Sequence, residues 1–212
     1  MFISNHSNTF SEKEQEEMIE RASIKYKEFM EALKINVEAD PNSKDTPKRV
    51  AKMFVKELCK GRYNDKPNIQ SFPNTEKYDQ MLFTNCETIS ICAHHHVTIF
   101  NKVFIGVLTN PNPKSRLIGL SKFTRITEWI ANRPTIQEDM TKQIHKEIDE
   151  VCKGNFGVMV YIIGQHGCTT YRGVKQVNSK MITSAVSGGF KNNDSSKNEF
   201  MNMVNNILGI NQ

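Results

Sequence analysis

Residues 81–108 read MLFTNCETISICAHHHVTIFNKVFIGVL, with a cysteine and histidine cluster between two β-like segments. The segments 81–91 and 97–108 are rich in β-branched and aromatic residues, which favours strands. The cluster between them is Cys92-Ala93-His94-His95-His96. The stretch therefore predicts two strands with several metal-binding or proton-transferring side chains between them.

A second cluster of the same residue types, His166-Gly167-Cys168, follows the continuous apolar run 156–163, which we interpret as a third strand. Free cysteines are often buried as small hydrophobic residues, and a histidine run can be a solvated loop. Two clusters that each combine cysteine with histidine beside a β-like segment favour a shared metal site over that alternative.

The donor types in the two clusters indicate zinc. Zinc binds thiolate and imidazole groups, and a hydrolytic zinc keeps three protein ligands so that a fourth position can hold water. Cys92, His95 and Cys168 would make such a set. His94 and His166 would then lie beside the metal, titratable near neutral pH, as proton transfer requires.

Length and cysteine content favour one compact domain with a helical appendage. A chain of 212 residues can bury a substantial core, and an odd number of cysteines does not indicate a disulfide framework. We expect a reducing, cytoplasmic location, because the start MFISNHSNTF lacks a secretory apolar segment and no apolar run could span a bilayer. We interpret the cysteines outside the clusters as structural: Cys59, Cys86 and Cys152.

The net charge of +5 is mild and the basic residues are dispersed, so we expect no nucleic-acid partner. Because no apolar run is long enough to span a bilayer, we expect no membrane partner either. A small anionic substrate fits this pattern better.

Thr46-Pro47 is typical of a helix start. Within that helix Arg49 and Lys52 lie three residues apart, where two cations could reach one anion.

Hydrophobic periodicity divides the chain into a helical arm and an α+β body. Residues 61–78 are polar and Pro-rich, so we expect a linker there, with an N-terminal arm and linker over 1–78 and a β-rich body over 79–212. Residues 12–35 should form an amphipathic helix with an apolar stripe of Met18, Ala22, Tyr26, Phe29 and Leu33. The body should add helices over 121–131 and from Pro134, a fourth strand over 175–185, and a terminal helix over 196–208.

Several ordered segments resemble the GTP cyclohydrolase I family, from about Asp45 to Leu208. One such segment would be weak, but their common order and spacing make the resemblance specific. The segments are Thr46-Pro47-Lys48-Arg49-Val50-Ala51-Lys52-Met53, Cys92-Ala93-His94-His95, Ile118-Gly119-Leu120-Ser121-Lys122 with Arg125, Arg133-Pro134 with Gln137-Glu138, His166-Gly167-Cys168 with Arg172-Gly173, and Asn178-Ser179-Lys180 with Thr183-Ser184.

The resemblance implies an α+β tunnelling fold, in which antiparallel four-stranded sheets with paired helices assemble side by side into an oligomeric β-barrel. It also implies a homodecamer with active sites between subunits, and a catalytic role for the body over 79–212. The family hydrolyses GTP at C8 of guanine, a reaction of cyclic amidine C–N bonds. It releases formate and gives 7,8-dihydroneopterin triphosphate for folate, biopterin or 7-deazaguanine synthesis.

Carried over residue by residue, the resemblance implies Zn²⁺ as the cofactor, with Cys92, His95 and Cys168 as its ligands. It implies His94 and His166 as acid–base residues beside the purine.

For the substrate GTP, Gln137 and Glu138 match the family's purine anchor. An ionised glutamate only accepts hydrogen bonds, so it suits the paired N–H donors of guanine. The residues that match triphosphate contacts are Ser121, Lys122, Arg125, Arg172, Arg49 and Lys52.

Ala93 departs from the family, which usually has Glu at this position, and we expect the change to affect rate more than metal binding. Alternatives to the full reaction are a variant that stops after ring opening and a non-catalytic, zinc-containing purine-binding module. A nitrile reductase of the same fold would need a metal-free nucleophilic cysteine, which the match of Cys92 and Cys168 to zinc ligands disfavours.

Overall fold

The computed structural model describes residues 4–210, which form a mixed α+β structure around one main sheet. The strands are β1 (Ser71–Pro73), β2 (Met81–Cys92), β3 (Thr98–Leu108), β4 (Arg116–Ile118), β5 (Pro134–Thr135), β6 (Gly157–His166) and β7 (Met181–Val186). The helices are α1 (Glu12–Ala32), α2 (Thr46–Met53), α3 (Lys60–Tyr63), α4 (Leu120–Ala131), α5 (Gln137–Val151), α6 (Gly167–Thr170), α7 (Gly189–Asn192) and α8 (Asp194–Leu208).

The main sheet has the strand order β5-β2-β3-β6-β7. β2, β3, β6 and β7 pair antiparallel, which confirms the predicted antiparallel four-stranded arrangement. β5 adds two residues in parallel at the end of β2, where Ile91 pairs with Pro134 and Cys92 with Thr135. β1 and β4 form a separate two-stranded sheet.

Helices cover both faces of the main sheet. On one face, Ile126 of α4 and Ile144 of α5 are fully buried in a cluster with Val103 of β3. On the other face, Phe200 of α8 is buried beside Phe104 of β3. Removal of this apolar surface from water is the main force that holds the helices on the sheet.

The N-terminal arm packs α1 against α2 and against the π-helical turn Phe54–Leu58 that continues α2. The predicted helix over residues 12–35 is confirmed as α1. Its apolar stripe was predicted only in part, because Phe29 and Leu33 are 55% and 58% exposed and Ile19 is buried instead. The division of the chain at residue 78 stays a prediction.

Three local features differ from the sequence prediction. α5 begins at Gln137 rather than at Pro134, because Pro134 pairs with the end of β2. β7 begins at Met181, since residues 175–180 form an exposed loop. The polar stretch 61–78 contains the short strand β1. Within residues 4–210, no helix combines the length and apolar character needed to cross a membrane.

Candidate active site

One end of the main sheet gathers both clusters. β2 ends at Cys92, and β6 ends at His166 beside the start of β3. The backbone N–H of Ala93 donates to the carbonyl oxygen of Thr135 at 3.1 Å. This link and the pairing of β5 with β2 bring the first turn of α5 to the same end of the sheet.

Cys92, His166 and Cys168 form a compact donor group. Each offers one sulfur or ring-nitrogen atom, and these atoms all lie within 4.8 Å of one another. Cys92 is buried, whereas His166 and Cys168 are half-buried, so the group opens toward the surface. Two thiols and an imidazole are donor types that catalytic zinc sites use, so the donor set fits a zinc ion.

A tight turn carries the histidine run. The backbone N–H of His96 donates to the carbonyl oxygen of Cys92 at 2.8 Å. The backbone N–H of Cys92 in turn donates to the carbonyl oxygen of Val97 at 2.9 Å. The turn exposes His94 and His95, and it places Nδ1 of His94 3.6 Å from the sulfur of Cys92. His95 lies outside the compact donor group, so its assignment as a zinc ligand stays a prediction.

Gly167 allows the second cluster to approach β3 closely. A Cβ atom at this position would lie 2.9 Å from the carbonyl oxygen of Thr98 and 2.6 Å from side-chain atoms of Val97 and Tyr171. The carbonyl belongs to a strand and cannot move without disturbing β3. Glycine therefore lets the short helix α6 place Cys168 in the donor group.

Gln137 and Glu138, the predicted purine anchor, both reach the site but face different surroundings. The Gln137 side chain is 1% exposed, and its Oε1 accepts a hydrogen bond from Nε2 of His166 at 2.8 Å. Its Nε2 donates to the carbonyl oxygen of Met181 and to the hydroxyl of Thr183, both at 3.0 Å. Glu138 is exposed in the first turn of α5, and its carboxylate lies near enough to His166 to act on the pKa of that imidazole.

Partial burial shifts the protonation of the donor group. It lowers the pKa of the His166 imidazole below its ordinary value, and the carboxylate of Glu138 acts in the opposite direction. Burial, together with the neighbouring sulfur of Cys92, raises the pKa of the Cys168 thiol. Both shifts express the cost of charge in a partly dehydrated pocket, where a bound cation would compensate a thiolate.

The predicted triphosphate residues lie on separate elements. Arg172 follows α6, and its Nη1 donates to the carbonyl oxygen of Cys168 at 3.5 Å, which ties this cation to the site. Arg49 on α2 pairs with Asp45 at 3.2 Å on an exposed surface. The structure does not link the others to the donor group within the described part of the chain, and their roles stay predictions: Lys52 on α2, and Ser121, Lys122 and Arg125 on α4.

Sequence reasoning missed Thr141, which supports the site from α5. Its hydroxyl donates to the backbone carbonyl of Gln137 at 2.7 Å, and its oxygen lies 2.7 Å from that of Thr183. The available signal was the spacing, because residues four apart share a helix face and a threonine hydroxyl can bond the carbonyl one turn earlier.

Comparisons with known proteins assign the family. Residues 10–205 match the family model described as GTP cyclohydrolase I. A GTP cyclohydrolase 1 from Flavobacterium johnsoniae is 36% identical over 191 residues, which cover 89% of this chain and 82% of that protein. The GTP cyclohydrolase 1 of Pasteurella multocida is 35% identical over 196 residues, which cover 91% of this chain and 87% of that protein.

Among solved structures, the apo form of the archaeosine synthase QueF-Like aligns with 51% of this chain and 94% of its own, at 11% identity and a TM-score of 0.41. The family model and the curated relatives span most of the chain, and they confirm the resemblance drawn from the ordered segments. This chain therefore belongs to the GTP cyclohydrolase I family of enzymes.

Proposed function

We propose that this chain is a zinc-dependent GTP cyclohydrolase I that hydrolyses GTP at C8 of guanine, releases formate and gives 7,8-dihydroneopterin triphosphate. The observation that carries the proposal is the convergence of Cys92, His166 and Cys168 in a member of this family. The exposed carboxylate of Glu138, at the same end of the sheet, adds a group that could anchor the purine. The product would serve folate, biopterin or 7-deazaguanine synthesis, and we expect the enzyme in the cytoplasm.

Cys92 and Cys168 would hold the zinc together with one histidine. The resemblance favours His95 as this third ligand and assigns His166 to proton transfer. When bound, zinc supplies Lewis acidity, which makes a water molecule nucleophilic near neutral pH.

The remaining groups would bind the base and move protons. Glu138 would accept hydrogen bonds from N1–H and the exocyclic amino group of guanine, because an ionised carboxylate is an acceptor only. His166 or His94 would donate a proton to N7 of the purine, which makes C8 more electrophilic. The half-buried position of His166 keeps its ring beside the thiols and away from bulk solvent.

We extend the proposal to the oligomeric β-barrel of the family, a homodecamer with sites between subunits. Cations on α2 and α4 of one chain and Arg172 of another would then converge on one triphosphate, whose several negative charges need several partners. Ser121 in the first turn of α4 would add backbone N–H donors. In this arrangement residues 1–78 are the arm and linker, and 79–212 are the tunnelling-fold catalytic domain.

The direct test incubates freshly purified, zinc-analysed protein with GTP and follows formate release together with the pterin fluorescence that appears after oxidation. About one zinc ion per chain, together with formate release and pterin fluorescence, would support the proposal. Zinc with formate but no pterin would overturn the product and indicate a variant that stops after ring opening. Zinc with neither signal would overturn the activity, and would leave a non-catalytic zinc-containing protein as the alternative.

Single substitutions separate the ligands from the proton-transfer residue. Cys168→Ser and His95→Ala should lose zinc and turnover. His166→Ala should keep zinc but lower kcat by about 10²–10⁴-fold, the usual contribution of acid–base catalysis. Cys86→Ser, at a half-buried thiol within β2, is the matched control and should keep both properties. If His166→Ala loses zinc while His95→Ala keeps it, the histidine ligand is His166.

A further inference from the structure

We propose that Gln137 is a positioning residue, which holds the His166 imidazole in one orientation and with its proton on Nε2. The inference rests on the proposed function, because it concerns how a residue of that site is prepared for turnover. It differs from the prediction that Gln137 contacts the purine. Its basis is the buried position of the Gln137 side chain, between the His166 ring and the edge of the sheet.

Three acceptors fix the orientation of the Gln137 amide. Its Nε2 lies 3.0 Å from the carbonyl oxygen of Met181, 3.0 Å from the hydroxyl oxygen of Thr183 and 3.3 Å from the carbonyl oxygen of Ile162. Carbonyl oxygens only accept hydrogen bonds, so the amide nitrogen must face them. The amide oxygen then faces His166. Because that oxygen also only accepts, Nε2 of His166 at 2.8 Å must carry the proton.

Two threonine hydroxyls fix which groups of this network donate and which accept. The Thr141 hydroxyl donates to the backbone carbonyl of Gln137 at 2.7 Å, so its oxygen accepts from the Thr183 hydroxyl, also at 2.7 Å. Thr183 can in turn accept from the Gln137 amide. A flipped amide would set Oε1 against two carbonyl oxygens. A network in which every donor is paired therefore restricts the amide to one orientation.

Gly164 makes room for the contact. It lies on β6 opposite Met181 of β7, where the Gln137 side chain meets the sheet. A Cβ atom at this position would overlap Oε1 of Gln137 and lie 3.1 Å from Oδ1 of Asn101. The absence of a side chain at Gly164 thus lets α5 place the amide directly against the strand.

The arrangement selects the reactive atom of His166. A neutral imidazole has one donor nitrogen and one acceptor nitrogen, and the partner of one nitrogen sets the role of the other. With Nε2 bound to Gln137, Nδ1 is the ring nitrogen that is left to face the substrate. Gln137 would therefore act on the reaction through His166 and not by its own contact with GTP.

The kinetic test compares the parent chain with Gln137→Met, which keeps the length of the side chain without its amide. If Gln137 acts through His166, kcat should fall by about 10–100-fold, as expected when the partner of a functional histidine is lost. The KM for GTP should change by less than about threefold. A rise in KM with unchanged kcat would overturn the inference and place Gln137 on the purine.

A double-mutant cycle shows whether the loss passes through His166. In the His166→Ala background, Gln137→Met should cost less than about twofold in kcat, because the residue that it positions is gone. A loss as large as the one in the parent background would overturn the inference.

Thr183→Val and Thr183→Ser form a matched pair that still tests the network if Gln137→Met folds poorly. The valine variant lacks the hydroxyl and should lose about threefold or more in kcat, whereas the serine variant should restore it. Equal activity of the two variants would contradict the network.

A readout without turnover is the solid-state ¹⁵N spectrum of histidine-labelled parent protein, with His166 assigned by difference from His166→Ala. We expect the proton on Nε2, and a proton on Nδ1 would overturn the inference. A parent chain that releases no formate from GTP would instead overturn the proposed function, and this spectrum would still test the role of Gln137.

Discussion

Gly164 shows how one missing side chain shapes the candidate site, because a methyl group there would overlap the amide oxygen of Gln137. We expect Gly164→Ala to displace that amide, lower the free energy of unfolding by about 1–3 kcal/mol, and reduce formate release. Urea unfolding and turnover measured on the same preparation check both effects. Gly119→Ala is the control for the unfolding measurement, since a Cβ there meets no atom within 4 Å. Unchanged stability and turnover in Gly164→Ala would contradict the described packing.

Cys152 gives the chain a defined response to alkaline pH. Burial raises the pKa of its thiol from the ordinary 9.0 to about 12, and the carboxylate of Asp149 acts in the same direction. Above pH 9 the unfolded chain therefore loses a proton that the folded chain retains. The free energy of unfolding therefore does not depend on this thiol well below pH 9, and it falls as the pH rises from 9 toward 12.

The measurement compares urea unfolding of the parent chain and Cys152→Ala as the pH is raised. The stability difference, parent minus variant, should fall by about 1 kcal/mol between pH 9 and pH 10, and it should be constant near neutrality. A difference that stays the same across this interval would show that the buried thiol ionises as readily as an exposed one.

At the scale of single residues, the sequence predicted chemistry better than contacts. Cysteine and histidine types were enough to predict that Cys92 and Cys168 would lie together, and their sulfur atoms lie within 4.8 Å of each other. The burial of Gln137 and its bond to His166 could not be predicted, because they depend on how β6 and β7 align beneath α5. Periodicity fixes neither that register nor the direction of a buried amide.

At the scale of elements, the long strands were predicted well, because extended runs of β-branched and aromatic residues have few alternatives. The two- and three-residue strands were missed, since they are too short to show a period. β5 matters most among these. By pairing with β2 it delays the start of α5 to Gln137, and it brings that helix start beside Cys92.

The packing of α8 on the sheet offers a test at this scale. Phe200 is fully buried, with its ring centroid 5.3 Å from that of Phe83 and 5.9 Å from that of Phe190. Phe200→Ala should lower the free energy of unfolding by about 3–5 kcal/mol, because it leaves a cavity among aromatic rings. Ile207→Ala, on the same helix but 56% exposed, should cost less than about 1 kcal/mol. Urea unfolding followed by circular dichroism compares the two, and equal losses would contradict the described position of α8.

At the scale of the whole molecule, apolar side chains on the surface are informative. Ile24 and Phe29 of α1 and its C-cap Leu33 are each more than half exposed, and the loop before β7 exposes Val174 and Val177 similarly. Phe29 and Leu33 lie four residues apart and so share one side of the chain, and exposed apolar side chains that adjoin one another mark interaction sites in soluble proteins. The predicted triphosphate residues are spread over α2, α4 and the loop after α6. Together with these exposed apolar side chains, that spread supports the proposed assembly from several chains.

The contribution of α1 and its C-cap to that assembly can be measured with Phe29→Ser combined with Leu33→Ser. Burying each side chain at an interface is worth about 1.5–3 kcal/mol, so each change should weaken association by about tenfold or more. Native mass spectrometry should show a decamer of 24.3 kDa chains for the parent and smaller species for the double variant.

The control is Lys13→Ser combined with Glu17→Ser, which changes exposed polar positions of the same helix and should leave the assembly intact. Because the proposed sites lie between subunits, GTP turnover should fall with dissociation. A parent chain that is fully active as a monomer would contradict both the assembly and the shared site.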